Sequence, residues 1–137
     1  MTKTQIFPGR YDSLEKISEF IQENTKNAGF DGFTSYTIET AVDEACSNII
    51  EHAYGQENIG DIEISVSINP SNLTIYIKDN GKPFNPKSIP KPNLSSNLYE
   101  RKGDGLGLYM MRQWMDEVQF EFVDNKNVLK MVKNKGQ

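Results

Sequence analysis

The sequence predicts an α+β fold, a two-layer α/β sandwich whose mostly antiparallel sheet is covered on one face by helices. Three patterns carry that expectation. Between residues 35 and 54, Ile38, Ala41, Val42, Ala45, Cys46, Ile49 and Ala53 recur at about 100° per residue, as on one helix face. Ile62, Ile64, Val66 and Ile68 alternate with Glu63, Ser65 and Ser67, the period of a strand with one face packed and one wet. A second alternation through Leu73, Ile75 and Ile77 follows the turn residues Asn69-Pro70-Ser71-Asn72.

The remaining elements follow in chain order. Residues 4–7 form a short edge strand stopped by Pro8-Gly9. Leu14, Ile17, Ile21 and Ala28 give a helix over 13–28, with Asp12 and Glu15 placed as a capping box and Gly29 as its terminator. The helix over 35–54 and the two strands come next. Residues 80–104 then read as a long loop holding four of the six prolines, Pro83, Pro86, Pro90 and Pro92. A loop of that length in a compact domain suggests a lid, expected over 85–104. A third helix runs to about Met115, with Leu108, Met111 and Met115 available to the core. Strands near 117–123 and 128–133 close the chain as a hairpin around Asn125.

Composition narrows the classes of function. A chain of 137 residues suits one domain, expected to span 1–137, and 36% hydrophobic with 25% charged residues argues against wholesale disorder. The net charge of −4 provides no general attraction to nucleic acid or anionic membranes. A single cysteine, Cys46, excludes an internal disulfide, and with one histidine it weighs against zinc. Without an apolar leader or a run of membrane-spanning length, the expected compartment is the cytoplasm.

Three groups of residues could carry chemistry. Glu44, Asn48 and His52 lie four residues apart on the border of the second helix's apolar face. Asn48 offers a neutral oxygen to magnesium, and Glu44 could accept a proton beside that metal; a polar helix flank is the plainer reading. Asp79 shares the inward parity of Leu73, Ile75 and Ile77, so the strand's packed row ends in a carboxylate that needs a donor. An exocyclic amine such as adenine's would serve, and Gly81 would let a flat base approach. The alternative is an Asn-Gly hairpin turn, although Lys82-Pro83-Phe84-Asn85-Pro86 does not read as a returning strand. Third, Gly103-Asp104-Gly105-Leu106-Gly107 precedes a helix, where free N–H groups and the helix dipole favour phosphate oxygens.

The ordered combination of Glu-x-x-x-Asn on a helix, Asp-x-Gly after a strand, a long loop and Gly-x-Gly opening a helix resembles the N, G1 and G2 boxes of the histidine-kinase-like (GHKL, Bergerat-fold) ATPases. The strings AVDEACSNIIEHAYG, IKDNGKPFNP and GDGLGLYMMRQWMDEV are similar to the anti-sigma-factor serine kinases of bacterial partner-switching systems. The resemblance covers nearly the whole chain. It implies ATP and Mg²⁺ as ligands, with Asn48 on the metal, Asp79 on the adenine amine, Gly81 along the base, and Gly103, Gly105, Leu106 and Gly107 at the phosphates. Glu44 takes the general base's position, and Arg101, with Lys102, lies where a cation could reach the terminal phosphates. His52 matches a common residue of the N box and is expected to be packed and hydrogen-bonded.

The implied activity is that of a protein serine/threonine kinase and anti-sigma factor. Its partners would be a sigma factor and a small antagonist phosphorylated on serine or threonine, with a homodimer left open. Two departures bear on transfer. The first helix, SLEKISEFIQE, carries only Lys16 where the better-known kinases have an arginine, and Asp104 replaces the first glycine of a Gly-Gly pair. A partner-binding module that uses ATP without transfer therefore stays open. So does the catalytic domain of a histidine kinase, although no dimerising helix pair accompanies it in this sequence.

Overall fold

A computed structural model describes residues 1–85 and 106–136, with the side chain of Leu106 left out. The elements are β1 (Thr2–Pro8), α1 (Ser13–Ala28), α2 (Gly32–Asn48), a π-helical turn (Ile49–Ala53), β2 (Asp61–Ile68), β3 (Asn72–Asp79), α3 (Leu106–Trp114), β4 (Glu117–Val123) and β5 (Lys126–Asn134). The strands form one five-stranded sheet in the order β1-β2-β3-β5-β4, and every neighbouring pair is antiparallel. The expected two-layer α+β sandwich is what forms.

Strand parity decides which side of the sheet meets the helices. Ile62, Ile64 and Val66 of β2, Leu73, Ile75 and Ile77 of β3, and Leu129 and Met131 of β5 are all buried. They pack with Ile17 and Ile21 of α1, Ile38 and Val42 of α2, and Met111 of α3. Burying side chains of this size contributes roughly 1.5–3 kcal/mol each, so this shared layer dominates the fold's stability. The opposite parity faces outward and carries hydroxyl pairs, Thr2 with Ser67 at 2.7 Å and Thr4 with Ser65 at 2.8 Å.

Local chemistry sets the boundaries and caps, and several differ from expectation: β1 runs over Thr2–Pro8 and β5 over Lys126–Asn134, both longer than expected. Asp12 does not cap α1. Arg10, two residues earlier, offers a charged donor at 2.7 Å and takes the carboxylate instead. Gly29 closes the helix as expected, at φ 88°. The second helix begins at Gly32 rather than Ser35 because Asp31 accepts from Thr34 N at 2.7 Å, a side-chain cap. The β4–β5 hairpin turns through Asp124 and Asn125, both at positive φ (54° and 60°), as a type I′ turn requires.

The second helix also fails to run to Tyr54 as one α-helix. After Asn48 it widens into the π turn, and Tyr54 N donates to Ile49 O at 2.8 Å. Contacts from elsewhere hold that end. The Tyr54 hydroxyl donates to Asp61 O and accepts from Asn80 N at 3.1 Å. Ala53 O accepts from Lys82 N at 2.8 Å. The end of the helix is thereby tied to the segment that follows β3.

Candidate functional site

The end of β3 and the π turn form one side of an open pocket. Its apolar walls include Ile49 and Ala53 from the π turn, Ile77 from β3, Met111 from α3 and Leu129 from β5. Phe84 and Phe120 also line it, their ring centroids 5.2 Å apart. The polar lining includes Asn48, Asp79 and Asn127. An apolar slot with a few fixed polar groups suits a flat heterocycle.

Asp79 is 5% exposed, as its place in the inward row requires. Gly81 N at 2.8 Å and Asn127 Nδ2 at 2.9 Å both donate to its Oδ1. Burial pushes its carboxyl above the usual carboxylate range, and these two hydrogen bonds pull the other way. Gly81 sits against the π turn so closely that a Cβ would lie 2.6 Å from the Ala53 carbonyl carbon and 2.7 Å from Ala53 Cβ. The glycine is needed for space against Ala53, which places the Asp79-Asn80-Gly81 segment directly on the end of the helix.

Asn48 is the last residue of α2 and lines the pocket. Glu44, one turn earlier, is half-buried and lies beside the pocket rather than in its wall. Its carboxyl end lies against Gly107 in the first turn of α3, where any Cβ would overlap it. Burial raises the proton affinity of Glu44, the nearby negative charges of Asp43 and Glu51 add to that, and His52 opposes it. Leu106 opens α3. Arg101, Lys102, Gly103, Asp104 and Gly105, and the lid expected over 85–104 apart from Asn85, lie outside the described residues.

His52 departs from expectation. Its side chain is 55% exposed and lies 3.8 Å from Glu51. The wider i→i+5 turn breaks the four-residue spacing that would have kept His52 in line with Glu44 and Asn48. Asn127, by contrast, belongs to none of the sequence motifs. It has the inward parity of Leu129 and Met131 and is a polar residue at the start of a packed row, the same signal that marks Asp79. Lys16 of α1 is exposed.

The histidine kinase-like ATPase domain model matches residues 7–133. The chain belongs to the histidine kinase-like ATPase domain family. The serine-protein kinase RsbW of Bacillus thuringiensis (strain Al Hakam) is 31% identical over 96 residues, which is 67% of this chain and 59% of that protein. RsbW of Bacillus cereus (strain AH820) is 34% identical over the same shares. The chain thus covers 59% of the length of the curated relatives it matches. Among solved structures, the RsbU and RsbW domains of Rv1364c from Mycobacterium tuberculosis superpose with a TM-score of 0.70 at 14% identity, over 99% of this chain and 33% of that one. The catalytic domain of histidine kinase ThkA gives 0.57 at 16% identity, over 97% and 98%. Those two likenesses carry the fold, while family membership implies ATP binding and a kinase-type lineage.

The residues present fit such ligands. Asp79 supplies a buried acceptor beside an apolar slot, and Asn48 is a neutral oxygen donor of the kind a mostly hydrated magnesium ion accepts. Among the described residues, no helix is long and apolar enough to cross a membrane.

Proposed function

We propose that this protein is a cytoplasmic, Mg²⁺- and ATP-dependent protein serine/threonine kinase that acts as an anti-sigma factor, its ATP-binding domain spanning the chain. The observation that carries this reading is Asn48 and Asp79 in the wall of one pocket, with Glu44 one turn before Asn48 on α2. Asp79 would accept from the adenine amine, with Gly81 along the base. Gly107, with Gly103, Gly105, Leu106 and Arg101, would hold the phosphates. Asn48 would hold magnesium, which supplies neutralisation of phosphate charge.

In the proposed reaction the hydroxyl oxygen of a partner's serine or threonine attacks the γ-phosphorus. An O–P bond forms, the bond to the β-phosphate oxygen breaks, and ADP leaves. Glu44 takes the hydroxyl proton, a role helped by the raised proton affinity that burial gives it. Phosphoryl transfer depends chiefly on positioning and charge stabilisation, so a small domain can support it. The similarity to a serine-protein kinase supports serine as an acceptor, and a small antagonist protein as substrate with a sigma factor as second partner follows from the resemblance to the partner-switching kinases.

A second reading, an ATP-dependent binding module without transfer, is favoured by one observation: SLEKISEFIQE has no arginine, and its Lys16 is exposed. The experiment that separates the two captures partners from the native host and incubates them with γ-labelled ATP. Label appearing on a captured protein with wild type and not with Glu44→Gln supports the kinase. Capture and ATP binding without label leaves the binding module.

A further inference from the structure

The side-chain amide of Asn127 is committed at three points. An asparagine offers two N–H donors and one carbonyl oxygen. Here Nδ2 donates to Asp79 Oδ1 at 2.9 Å and to Lys82 O at 2.8 Å, while Oδ1 accepts from Phe84 N at 2.8 Å. The orientation of the amide is fixed by its neighbours, because Lys82 O can only accept and Phe84 N can only donate. Asn127 is also buried, at 8% exposure, and stands opposite Asp79 in the β3–β5 register.

This arrangement determines what Asp79 can present. Its Oδ1 takes donors from Asn127 and from Gly81 N, so the carboxylate is held at one oxygen and, among the described residues, Oδ2 is left as the acceptor for a ligand in the pocket that Asp79 lines. Both Asn127 donors are in use, so the amide has none to turn toward that ligand. Asn127 therefore adds no donor beside the acceptor that Asp79 presents to the base. An exocyclic amine satisfies such a site, whereas a carbonyl oxygen would face a carboxylate oxygen and leave both unpaired.

We infer that Asn127 is a specificity-determining positioning residue: by locking Asp79 and consuming its own donors, it makes the pocket select 6-amino over 6-oxo purines. The inference rests on the proposed placement of the base against Asp79. It adds a role for the β5 side chain, which also ties the residues just after β3, Lys82 and Phe84, to the same carboxylate.

The test compares three triphosphates by calorimetry: ATP, its 6-deamino analogue (purine riboside triphosphate) and the 6-oxo analogue (inosine triphosphate). Each is titrated into wild type, Asn127→Ala and Asn127→Leu. The leucine variant keeps the asparagine's branched outline of four side-chain heavy atoms and leaves no cavity, so it offers a second measurement if the alanine variant does not fold. Wild type should prefer ATP over the deamino analogue by about tenfold or more and bind the 6-oxo analogue more weakly still, as expected for a charge-assisted hydrogen bond. In the variants, ATP affinity should fall by about tenfold while deamino affinity stays within about twofold, so the preference collapses. An equal loss for all three nucleotides would make Asn127 merely structural and overturn the inference. Wild type showing no preference among them removes the adenine reading of Asp79 itself, and the inference with it.

Discussion

Gly107, in the first turn of α3, stands where a side chain would overlap the carboxyl end of Glu44. The absent Cβ is what lets Glu44 extend from α2 to α3. Because the obstructing group is the far end of a flexible side chain, Gly107→Ala should fold, with helix propensity favouring alanine by about 1 kcal/mol. Glu44 must move, however. The expected outcome is a loss of phosphate transfer similar to that of Glu44→Gln, on the order of 10²–10⁴-fold for a displaced general base. The double variant should be no worse than either single one, which a double-mutant cycle measures. Fully additive losses would mean that Gly107 acts through the phosphates, its other proposed role, and not through Glu44.

Gly81 makes the opposite case. A Cβ there meets the backbone carbonyl of Ala53, which cannot swing aside as a glutamate can. Gly81→Ala should therefore push the segment after β3 away from the π turn and weaken the bond from Lys82 N to Ala53 O. Overpacking of this kind costs about 1–3 kcal/mol. Denaturant unfolding should show that loss, and ATP affinity should fall with it. Unchanged stability would mean that the contact is easily relaxed.

Much of this arrangement is legible in the sequence, for reasons local to it. The alternation through Leu73, Ile75 and Ile77 sets the side on which Asp79 falls, and the spacing of Glu44 and Asn48 sets their shared helix face. What is not legible depends on partners distant in the chain. The π turn after Asn48 is held where Tyr54 meets Asp61 and Asn80, and where Ala53 meets Lys82. That turn is also what leaves His52 exposed. Asp12 looks like a helix cap until Arg10 takes it. Asn127 was legible in principle, since its parity matches Leu129, but a lone asparagine near a turn has a simpler use.

Acid should act unusually on this fold. Burial raises the carboxyls of both Glu44 and Asp79 in the folded state above their unfolded values. Across that interval the folded state binds more protons than the unfolded one, so these two groups make stability rise as pH falls and diminish as pH rises through their folded pKa values. Relative to Glu44→Gln, wild type should thus gain stability on acidification from neutrality toward the ordinary carboxylate range. Denaturation midpoints at several pH values check this. A wild type that loses stability relative to Glu44→Gln over that range would contradict the buried placement of Glu44.

An ATP site anchored by Asp79 is tested most directly by titration of Mg²⁺ and ATP into wild type and Asp79→Asn. The substitution preserves shape, and an asparagine Oδ1 can still accept from Gly81 N and Asn127 Nδ2, so the fold should hold. The atom turned to the ligand becomes a donor, which opposes the adenine amine. Loss of a charge-assisted hydrogen bond is worth about 1.5–3 kcal/mol, so ATP affinity should fall by about 10- to 100-fold. Equal ATP affinity in the two proteins would contradict the account.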